Sequence, residues 1–320
     1  MGYDLKLISC SASESIAENI AQYLDVKICK SKKVKFADGE CYVQINENVR
    51  GSDAFVVQSM SDPVNDNFME MLLMIDALKR SSVNRINVVI TYYAYARQDR
   101  KTKSRVPISA ALLAKLIEAA GADHVVCVDL HAGQIEGYFS IPVDNVSVGR
   151  SVLSALIRKV HDLSPKLTIV SPDAAGGSRA DVQLQYVTKH YEKFGDAQIA
   201  DDKLPWLMEL VGEVNGRDCI IVDDIVDTAG TLCSAAKCLK EQGATRVFAC
   251  VTHGLLNGPA LQRINDSPDL DMLIISNTVN QSEEVLSSSK IMVVDVSEVL
   301  GETIRRIHND ESLNNILFQK

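Results

Sequence analysis

Several features that define other protein classes are missing from this sequence of 320 residues. No apolar run reaches the ~18 residues that a membrane-spanning helix needs, and the start, MGYDLKLISCSASES, lacks the basic-then-apolar order of a secretion signal. Basic residues are outnumbered, 33 Lys and Arg against 42 Asp and Glu, and a net charge of −9 disfavours a nucleic-acid binder. We therefore expect a soluble cytoplasmic protein that binds neither membranes nor nucleic acid.

The cysteines form no C-x-x-C pair, although the chain has eight of them. They stand at positions 10, 29, 41, 127, 219, 233, 238 and 250, and several lie inside apolar runs, such as Cys127 in HVVCVDL and Cys250 in VFACVTH. Free buried thiols in a reducing compartment explain this pattern better than disulfides or zinc ligands do.

Apolar runs at intervals indicate many β-strands. They are β-branched and nearly continuous rather than alternating, which is typical of strands buried on both faces. The runs lie at 5–10, 54–60, 86–93, 124–130, 167–173, 219–224, 246–253, 272–277 and 291–296. Helical patterns lie between them: PISAALLAKLIEAAG runs from Pro107 to Gly121, and SASESIAENIAQYL opens with a capping box from Ser11 to Glu14. The alternation predicts an α/β fold with mostly parallel sheets flanked by helices.

The stretch CIIVDDIVDTAGTL, residues 219–232, ends a buried run with acids and continues into a turn of small residues. Ligands of parallel α/β sheets bind beyond the carboxyl ends of the strands. Small residues before a helix that starts near Gly230 let backbone N–H groups approach a ligand, and a helix N-terminus favours an anion. Thr228 and Thr231 add hydroxyl donors, so the stretch predicts a phosphate-binding loop. Neither G-x-x-x-x-G-K-[ST] nor G-x-G-x-x-G occurs, which excludes a Walker-type loop and disfavours a dinucleotide site.

Two carboxylates stand at the rim of this loop. Asp223 and Asp224 would repel a phosphate, so we expect them to face sugar hydroxyls or a magnesium ion. Acids beside a phosphate loop therefore suggest that the ligand is a phosphorylated sugar. The alternative is that Asp227 serves as the N-cap of a helix, a role that is compatible with binding.

The segment IIVDDIVDTAGTL resembles the ribose-5-phosphate loop of the ribose-phosphate pyrophosphokinases, a loop type that phosphoribosyltransferases share. Further segments extend the resemblance over almost the whole chain. They are KFADGECYVQINENVRGSDAFVVQS, SDPVNDNFMEMLLMIDALKRSSVNRINVVITYYAYARQDRK, VDLHAGQIEGYFSIPVDN, ATRVFACVTHGLLNGPALQRIN and IRRIHNDESL. The resemblance implies an enzyme that uses Mg²⁺ and transfers the diphosphoryl group of ATP to the C1 hydroxyl of ribose 5-phosphate, giving 5-phosphoribosyl 1-diphosphate and AMP.

The resemblance also implies an architecture of two phosphoribosyltransferase-like domains. Residues 1–146 would form the N-terminal domain, with residues 303–320 packing on it, and residues 147–302 would form the C-terminal domain that carries the loop. The implied partners are ATP, ribose 5-phosphate and other subunits. The assembly would be a dimer-based homo-oligomer, with a hexamer as the expected size, or a hetero-oligomer with a paralogue.

Matching motifs imply roles for individual residues. The residues implied to bind ATP are Phe36, Asp38, Glu40, Arg97, Gln98, Asp99 and His131. The first three would reach the adenine of the ATP that is bound to a neighbouring subunit. Ribose 5-phosphate binding falls on Asp223, Asp224, Asp227, Thr228, Ala229, Gly230 and Thr231. The metal ligands would be His131 and Asp173. Taken alone, His131 is as well explained as a buried structural histidine, and Arg97 is more often a solvated charge. For Phe36 the alternative is core packing, although its place beside ADGE favours a loop contact.

The sequence departs from the family pattern at two places. SPDAAGGSR has Ala175 where the family has the first glycine, although Arg179 keeps its distance from Asp173. The family also has a flexible loop with a Lys-x-Arg that stabilises the transferred diphosphoryl group. Those places fall on Asp196 and Gln198 when counted forward from Arg179, or on Ala197 and Ile199 when counted back from VGEV at 211–214. Neither count gives a basic residue, so no catalytic residue is assigned.

Two functional classes therefore stay open. One is an active diphosphokinase, which we predict to be a poor catalyst on its own because the mobile positive charge is missing. The other is a non-catalytic, synthetase-associated subunit that binds nucleotide or ribose phosphate and regulates a competent paralogue. A simple phosphoribosyltransferase is a weaker third interpretation, because such enzymes rarely have two domains and lack the FADGE and YARQDR segments.

Overall fold

The protein folds into two compact units. A computed structural model describes residues 3–163, 166–171, 193–201 and 208–317. Unit 1 comprises Met1–Ser147, Thr278–Asn280 and Asp295–Lys320, and unit 2 comprises Val148–Asn277 and Gln281–Val294. Both units have strands and helices in alternation, so the predicted α/β class is confirmed.

The elements follow one another in the chain in this order. In unit 1 they are β1 (Leu5–Ser9), α1 (Glu14–Leu24), β2 (Ser31–Lys35), β3 (Cys41–Ile45), β4 (Asp53–Ser59), α2 (Val64–Arg80), β5 (Arg85–Tyr92), α3 (Ser109–Ala120), β6 (His124–Val128) and β7 (Val143–Val146). In unit 2 they are α4 (Gly149–Lys159), β8 (Lys166–Ser171), β9 (Lys193–Asp201), β10 (Met208–Gly212), β11 (Asp218–Val226), α5 (Gly230–Glu241), β12 (Arg246–Gly254), α6 (Ala260–Asp266), β13 (Met272–Ser276), α7 (Glu283–Leu286) and β14 (Ile291–Val294). The chain then returns to unit 1 with α8 (Ser297–His308) and α9 (Asn314–Leu317).

Unit 1 is built on a parallel sheet with the strand order β1-β4-β5-β6-β7. Every residue of β4 is buried, which agrees with its continuous apolar run. Helix α8, from the far end of the chain, packs along α1, where the ring of Tyr23 lies so close to Gly301 that an added Cβ would stand 2.5 Å from it. The Tyr23 hydroxyl also donates to Glu302 at 3.2 Å. The C-terminal segment is therefore part of unit 1.

Unit 2 is built on a larger sheet with the order β10-β9-β8-β11-β12-β13-β14. All neighbouring strands are parallel except β9 and β10, which are antiparallel. Apolar residues cover both faces of the central strands: Ile221 and Val247 pack in one buried cluster, and Ile220 and Phe248 in another. The two clusters explain why these strands read as unbroken apolar runs in the sequence.

The buried thiols that the cysteine pattern predicts are present. All eight cysteines are free, and Cys10, Cys29, Cys127, Cys219 and Cys250 are buried. Burial raises the pKa of the Cys127 and Cys250 thiols, so both stay protonated and behave as small apolar groups. Both side chains are part of the buried core.

Two local predictions differ from the structure. The capping box at the start of α1 is wrong: Ser11 begins a short 3₁₀ turn, and its N–H and hydroxyl donate to the Glu70 carboxylate at 2.6 and 2.7 Å. The sequence also gave no sign of β2 and β3, which pair antiparallel as a hairpin. Because the hairpin is mostly exposed or only partly buried and carries several lysines, it lacks the kind of apolar run that identified nine other strands. The short strand β7 and the strands β9 and β10 were missed as well.

Candidate functional site

The two acids that follow the apolar run lie inside β11, which continues to Val226 rather than ending before them. β11 pairs with β8 only as far as Ile221, but it pairs with β12 as far as Val226. Asp223 and Asp224 therefore lie where β11 extends beyond its pairing with β8, at the carboxyl end of the sheet. Asp224 is 2% exposed, Asp223 is partly exposed, and the Asp224 N–H donates to Asp223 Oδ1 at 2.8 Å.

The chain turns from β11 into α5 through residues 227–229. Ala229 has the left-handed backbone angle φ 58° and occupies the N-cap position, with no side chain capping the helix. Asp227 is therefore not the N-cap, and its carboxylate accepts a hydrogen bond from Asn257 Nδ2 at 3.0 Å instead. The capping alternative from the sequence is wrong, because a residue with no side-chain acceptor holds that position.

The first turn of α5 has the geometry that binds anions. The first N–H groups of a helix have no intrahelical partner, and here the N-cap residue, Ala229, has no side chain that could supply one. The Cys233 N–H closes the first helical bond onto the Ala229 carbonyl at 3.0 Å. Thr228 and Thr231 are exposed and Gly230 is partly exposed, so a ligand reaches hydroxyls and backbone together. Phosphate binding by residues 227–231 stays a prediction, which this geometry allows.

The acids beside the cradle fit a magnesium ion as well as a sugar. Mg²⁺ is held in proteins by one or two carboxylates together with substrate phosphates, and Asp223 and Asp224 supply two carboxylates next to an anion cradle. Carboxylates also accept hydrogen bonds from sugar hydroxyls. Neither Asp223 nor Asp224 is isolated, since each already interacts with its surroundings.

A second group of predicted residues lies at the carboxyl end of the sheet in unit 1. Asp99 follows β5 and is buried, and its carboxylate accepts a hydrogen bond from Gln134 while its carbonyl accepts one from the Tyr138 hydroxyl. Gln134 and Tyr138 belong to the segment after β6. The segments that follow two neighbouring strands are thus joined through Asp99. Gln98 accepts a hydrogen bond from the Ser109 hydroxyl at the start of α3.

His131 follows β6 at the same edge of the sheet. Asp129, two residues before it, has the left-handed angle φ 37°, and its N–H donates to the Val146 carbonyl at 3.0 Å. The Leu130 N–H donates to Asn145 Oδ1, also at 3.0 Å. These contacts fix the turn that carries His131, which is partly exposed. Arg97, in the neighbouring segment, is exposed.

The predicted metal ligands remain untested by this geometry. Asp173, the proposed partner of His131, lies outside the described residues, as do Ala175 and Arg179. Within the described ranges, three or more His, Cys, Asp or Glu side chains nowhere gather in a metal-binding cluster.

Phe36, Asp38 and Glu40 form a third group, at the tip of the β2–β3 hairpin. The Phe36 N–H donates to the Glu40 carbonyl at 2.8 Å, and the Glu40 N–H donates to Asp38 Oδ1 at 3.1 Å. Gly39 has φ 96°, the left-handed conformation that the turn requires. Phe36 is 51% exposed, with its ring 5.8 Å from that of Tyr42. Core packing as the role of Phe36 is therefore wrong.

Sequence reasoning missed four residues that hold the predicted ones in place: Gln134 and Tyr138 on Asp99, and Asn257 and Arg263 on the phosphate loop. A signal was available. Segments that follow adjacent parallel strands meet at one edge of the sheet, so the residues after β12 had to lie beside the loop after β11.

Comparisons with known proteins cover both units. Residues 5–121 match the family model described as the N-terminal domain of ribose phosphate pyrophosphokinase, and residues 171–319 match the model described as the phosphoribosyl synthetase-associated domain. A ribose-phosphate pyrophosphokinase from Hyphomonas neptunium is 46% identical over 98% of this chain and 99% of its own length. One from Shewanella oneidensis is 44% identical over 97% of this chain and 98% of its own length.

A solved structure agrees with these relatives. The crystal structure of phosphoribosylpyrophosphate synthetase from Mycobacterium smegmatis superposes with a TM-score of 0.89 at 36% identity, over 96% of this chain and 99% of that one. In the described part of the chain, helices of the length and apolarity needed to cross a membrane do not occur.

Proposed function

The chain belongs to the ribose-phosphate pyrophosphokinase family, and from that membership we propose how its residues divide the work of a diphosphokinase. The family makes it a transferase that forms 5-phosphoribosyl 1-diphosphate. The substrates are ATP and ribose 5-phosphate. The observation that carries the residue assignment is the uncapped start of α5 beside two strand-end acids.

Residues 227–231 hold the 5-phosphate of the sugar. The first-turn N–H groups of α5 and the hydroxyls of Thr228 and Thr231 donate to the phosphate oxygens, and the helix dipole favours the negative charge. Asp223 and Asp224 accept hydrogen bonds from the ribose hydroxyls. This places the sugar with its phosphate over the helix and its ring over the end of β11.

Magnesium is the proposed cofactor. The family resemblance implies His131 and Asp173 as its ligands on the ATP side, and Asp223 and Asp224 would offer carboxylates on the sugar side. When bound, Mg²⁺ neutralises phosphate charge and orients the phosphate oxygens. Asp223 and Asp224 bring carboxylates to the edge of the phosphate cradle, as such a site needs.

ATP is held by the other two groups of predicted residues. Arg97, Gln98 and Asp99 bind its phosphates and ribose, and the fixed contacts of Asp99 to Gln134 and Tyr138 keep that segment rigid. The hairpin tip with Phe36, Asp38 and Glu40 reaches the adenine of a neighbouring subunit. Its exposure supports this role, because a half-exposed phenylalanine at a hairpin tip is ready to stack on a base.

The reaction joins the two substrates without a covalent enzyme intermediate. The C1 hydroxyl oxygen of the sugar attacks the β-phosphorus of ATP, and the bond between that phosphorus and the oxygen bridging it to the α-phosphorus breaks. AMP leaves with the bridging oxygen, and the hydroxyl proton is released. The protein contributes positioning and charge stabilisation, which are the main demands of phosphoryl transfer.

The regulatory-subunit interpretation is the weaker one. The relatives from Hyphomonas neptunium, Maricaulis maris and Shewanella oneidensis are named ribose-phosphate pyrophosphokinase, and this chain matches 98–99% of their length. We keep as a proposal the division into a domain of residues 1–146 with 303–320 and a domain of 147–302; the compact units differ from it mainly in returning to unit 1 at Asp295. A dimer-based oligomer in the cytoplasm is consistent with the exposed hairpin and with eight free thiols.

Calorimetry with ribose 5-phosphate tests the loop assignment. Gly230→Val puts a branched side chain at the start of α5, with its Cβ 3.4 Å from Arg263 Nη1 and 4.0 Å from the Thr228 hydroxyl. Crowding of the cradle and the loss of one charged hydrogen bond or more should weaken binding by about tenfold to a hundredfold. Ser234→Val, on an exposed position of the same helix, is the matched control and should leave the affinity unchanged. A folded Gly230→Val protein with the affinity of the parent would refute the assignment.

A further inference from the structure

Three consecutive residues at the entry to the phosphate loop are each held by one neighbouring segment. We call this segment, residues 255–263, the brace; it runs from the end of β12 into α6. The N–H groups of Leu255 and Leu256 donate to the Val226 carbonyl at 2.8 and 3.3 Å. Asn257 and Arg263 hold the next two residues of the loop, Asp227 and Thr228. Because the brace contacts three consecutive residues, it holds the backbone at the start of the phosphate loop in place.

The last of these contacts lies closest to the anion cradle. Arg263 Nη1 donates to the Thr228 carbonyl oxygen at 2.9 Å, and a Cβ added at Gly230 would stand 3.4 Å from the same nitrogen. A guanidinium donor makes this bond stronger than one between neutral groups. The Asn257 Nδ2 donates to Asp227 Oδ1 at 3.0 Å, one residue earlier. The brace therefore reaches the loop up to the residue before the N-cap.

Because the peptide is planar, the hydrogen bond from Arg263 to the Thr228 carbonyl also fixes the direction of the Ala229 N–H. The peptide that joins Thr228 to Ala229 is planar and trans, so its C=O and its N–H point in opposite directions. With the carbonyl held towards Arg263, the Ala229 N–H points away from the brace. Rotating the whole peptide by half a turn would carry the carbonyl into the place of that N–H, and a carbonyl repels a phosphate.

Backbone strain at Ala229 makes the orientation of the Thr228–Ala229 peptide depend on its hydrogen bond to Arg263. Ala229 has φ 58°, which is unfavourable for any residue with a Cβ, by roughly a tenfold factor in population. A half-turn of the 228–229 peptide changes this φ by about the same rotation and returns it to the negative range that alanine prefers. The loop thus holds its binding orientation against a local preference, and the Arg263 hydrogen bond opposes the flip.

We propose that Arg263, assisted by Asn257, is a positioning residue that keeps the Thr228–Ala229 peptide oriented for binding the sugar phosphate. This rests on the proposed function of residues 227–231 as the 5-phosphate site. Arg263 acts through the Thr228 carbonyl and not as a phosphate ligand itself. Its loss lets the peptide turn, and the cradle presents an oxygen where it should present an N–H.

Titration of ribose 5-phosphate into four proteins tests the proposal: the parent, Arg263→Ala, Ala229→Gly, and the double variant. Arg263→Ala should weaken binding by about tenfold, the size of the strain that it releases. Glycine adopts the left-handed conformation without strain. In the Ala229→Gly background, the same Arg263→Ala change should therefore weaken ribose 5-phosphate binding by about threefold or less. An equal loss in both backgrounds would mean direct contact between Arg263 and the phosphate, and would overturn the proposal.

Further variants separate positioning from general damage. Arg263→Lys keeps a cationic donor and should recover part of the affinity, whereas Gln262→Ala, exposed on the same helix, should change nothing. In steady-state assays the KM for ribose 5-phosphate should rise while the KM for ATP stays constant. A rise in both constants, with a lowered melting temperature, would contradict the proposal by showing a structural role. If the parent protein itself binds no ribose 5-phosphate, the proposed function fails and not merely the role of Arg263.

Discussion

The carboxylate of Asp53 accepts two hydrogen bonds from the guanidinium of Arg85, at 2.8 and 2.7 Å, across the amino ends of β4 and β5. The two residues are register partners at the starts of their strands. Unit 2 repeats the arrangement with Asp218 and Arg246 on β11 and β12, at 3.2 and 2.6 Å. Both pairs lie at the end of the sheet opposite the predicted site residues, so they set the strand register from the far side.

The repeat extends one strand further. The Ile86 N–H donates to the Asp123 carboxylate, and the Val247 N–H donates to the Asp271 carboxylate, each at 2.8 Å. The acids stand just before β6 and β13, the next strands of the two sheets. The two units therefore share a pattern of side-chain contacts that the sequence, which shows no close repeat, does not reveal.

Asp53→Asn should destabilise the protein by about 1–3 kcal/mol, because the buried carboxylate that accepts the charge-assisted hydrogen bonds is lost, while the Arg85 side chain, 30% exposed, keeps its contacts with Asp310 and the Ile307 carbonyl. Asp53 is 1% exposed, and His308 Nδ1 and Asn87 also bond to it. Asp310→Asn is the matched control, since Asp310 contacts the same arginine but is 85% exposed. Denaturant unfolding measures both variants. Equal stabilities of the two would show that the buried pair contributes nothing beyond a surface contact.

The acid sensitivity of folding should also depend on Asp53. Burial acts to raise the pKa of its carboxyl, but the hydrogen bonds from Arg85, His308 and Asn87 outweigh burial and hold that pKa below the usual 3.8. A group whose pKa is lowered by folding stabilises the protein above its unfolded pKa and loses that contribution as the pH falls through the folded pKa. The unfolding free energy should therefore fall below about pH 4 more steeply in the parent than in Asp53→Asn. Parallel pH profiles would contradict this.

Turnover should rise when basic residues are restored to the segment where the family has Lys-x-Arg. Residues 193–201 form β9, whose residues 197–201 pair with β10, and the two ways of counting place the motif on 196 and 198 or on 197 and 199. One donor to a transition state is worth on the order of 10²–10³ in kcat. We expect Ala197→Lys with Ile199→Arg to raise kcat by at least about tenfold.

The other count supplies the control for this experiment. Asp196→Lys with Gln198→Arg adds the same side chains one position earlier, and should leave kcat close to that of the parent. If both pairs of substitutions raise kcat equally, general positive charge and not a placed donor is responsible. If neither does, another cation of the chain already fills the role.

The protein should be at least a dimer at micromolar concentration, because the hairpin tip is proposed to complete a neighbour's ATP site. Light scattering measures the assembly, and Phe36→Ala should raise the KM for ATP without dissociating it. Tyr3→Ala, a similarly exposed aromatic outside the hairpin, is the control. A monomer of 35.0 kDa that binds ATP tightly would refute the shared site.

An element can be predicted from the sequence when a local residue pattern produces it, and cannot when only the tertiary arrangement does. Nine parallel strands were found because burial on both faces leaves continuous apolar runs, as in β4 and β11. The loop at 227–231 was predicted because small residues before a helix let backbone N–H groups approach an anion. The β2–β3 hairpin was missed because its strands bury little. Arg263 was missed because a single arginine on a short helix has no pattern; only strand order brings it to Thr228.

Formation of AMP and 5-phosphoribosyl 1-diphosphate by the purified chain tests the account most directly. The assay supplies ATP, Mg²⁺ and ribose 5-phosphate, with enzyme in excess so that a slow turnover is still seen. The account predicts the two products in equal amounts, formed only when ribose 5-phosphate is present, and strongly reduced by Gly230→Val. The account would be contradicted if AMP were released at the same rate without ribose 5-phosphate, or if folded protein formed no product after prolonged incubation.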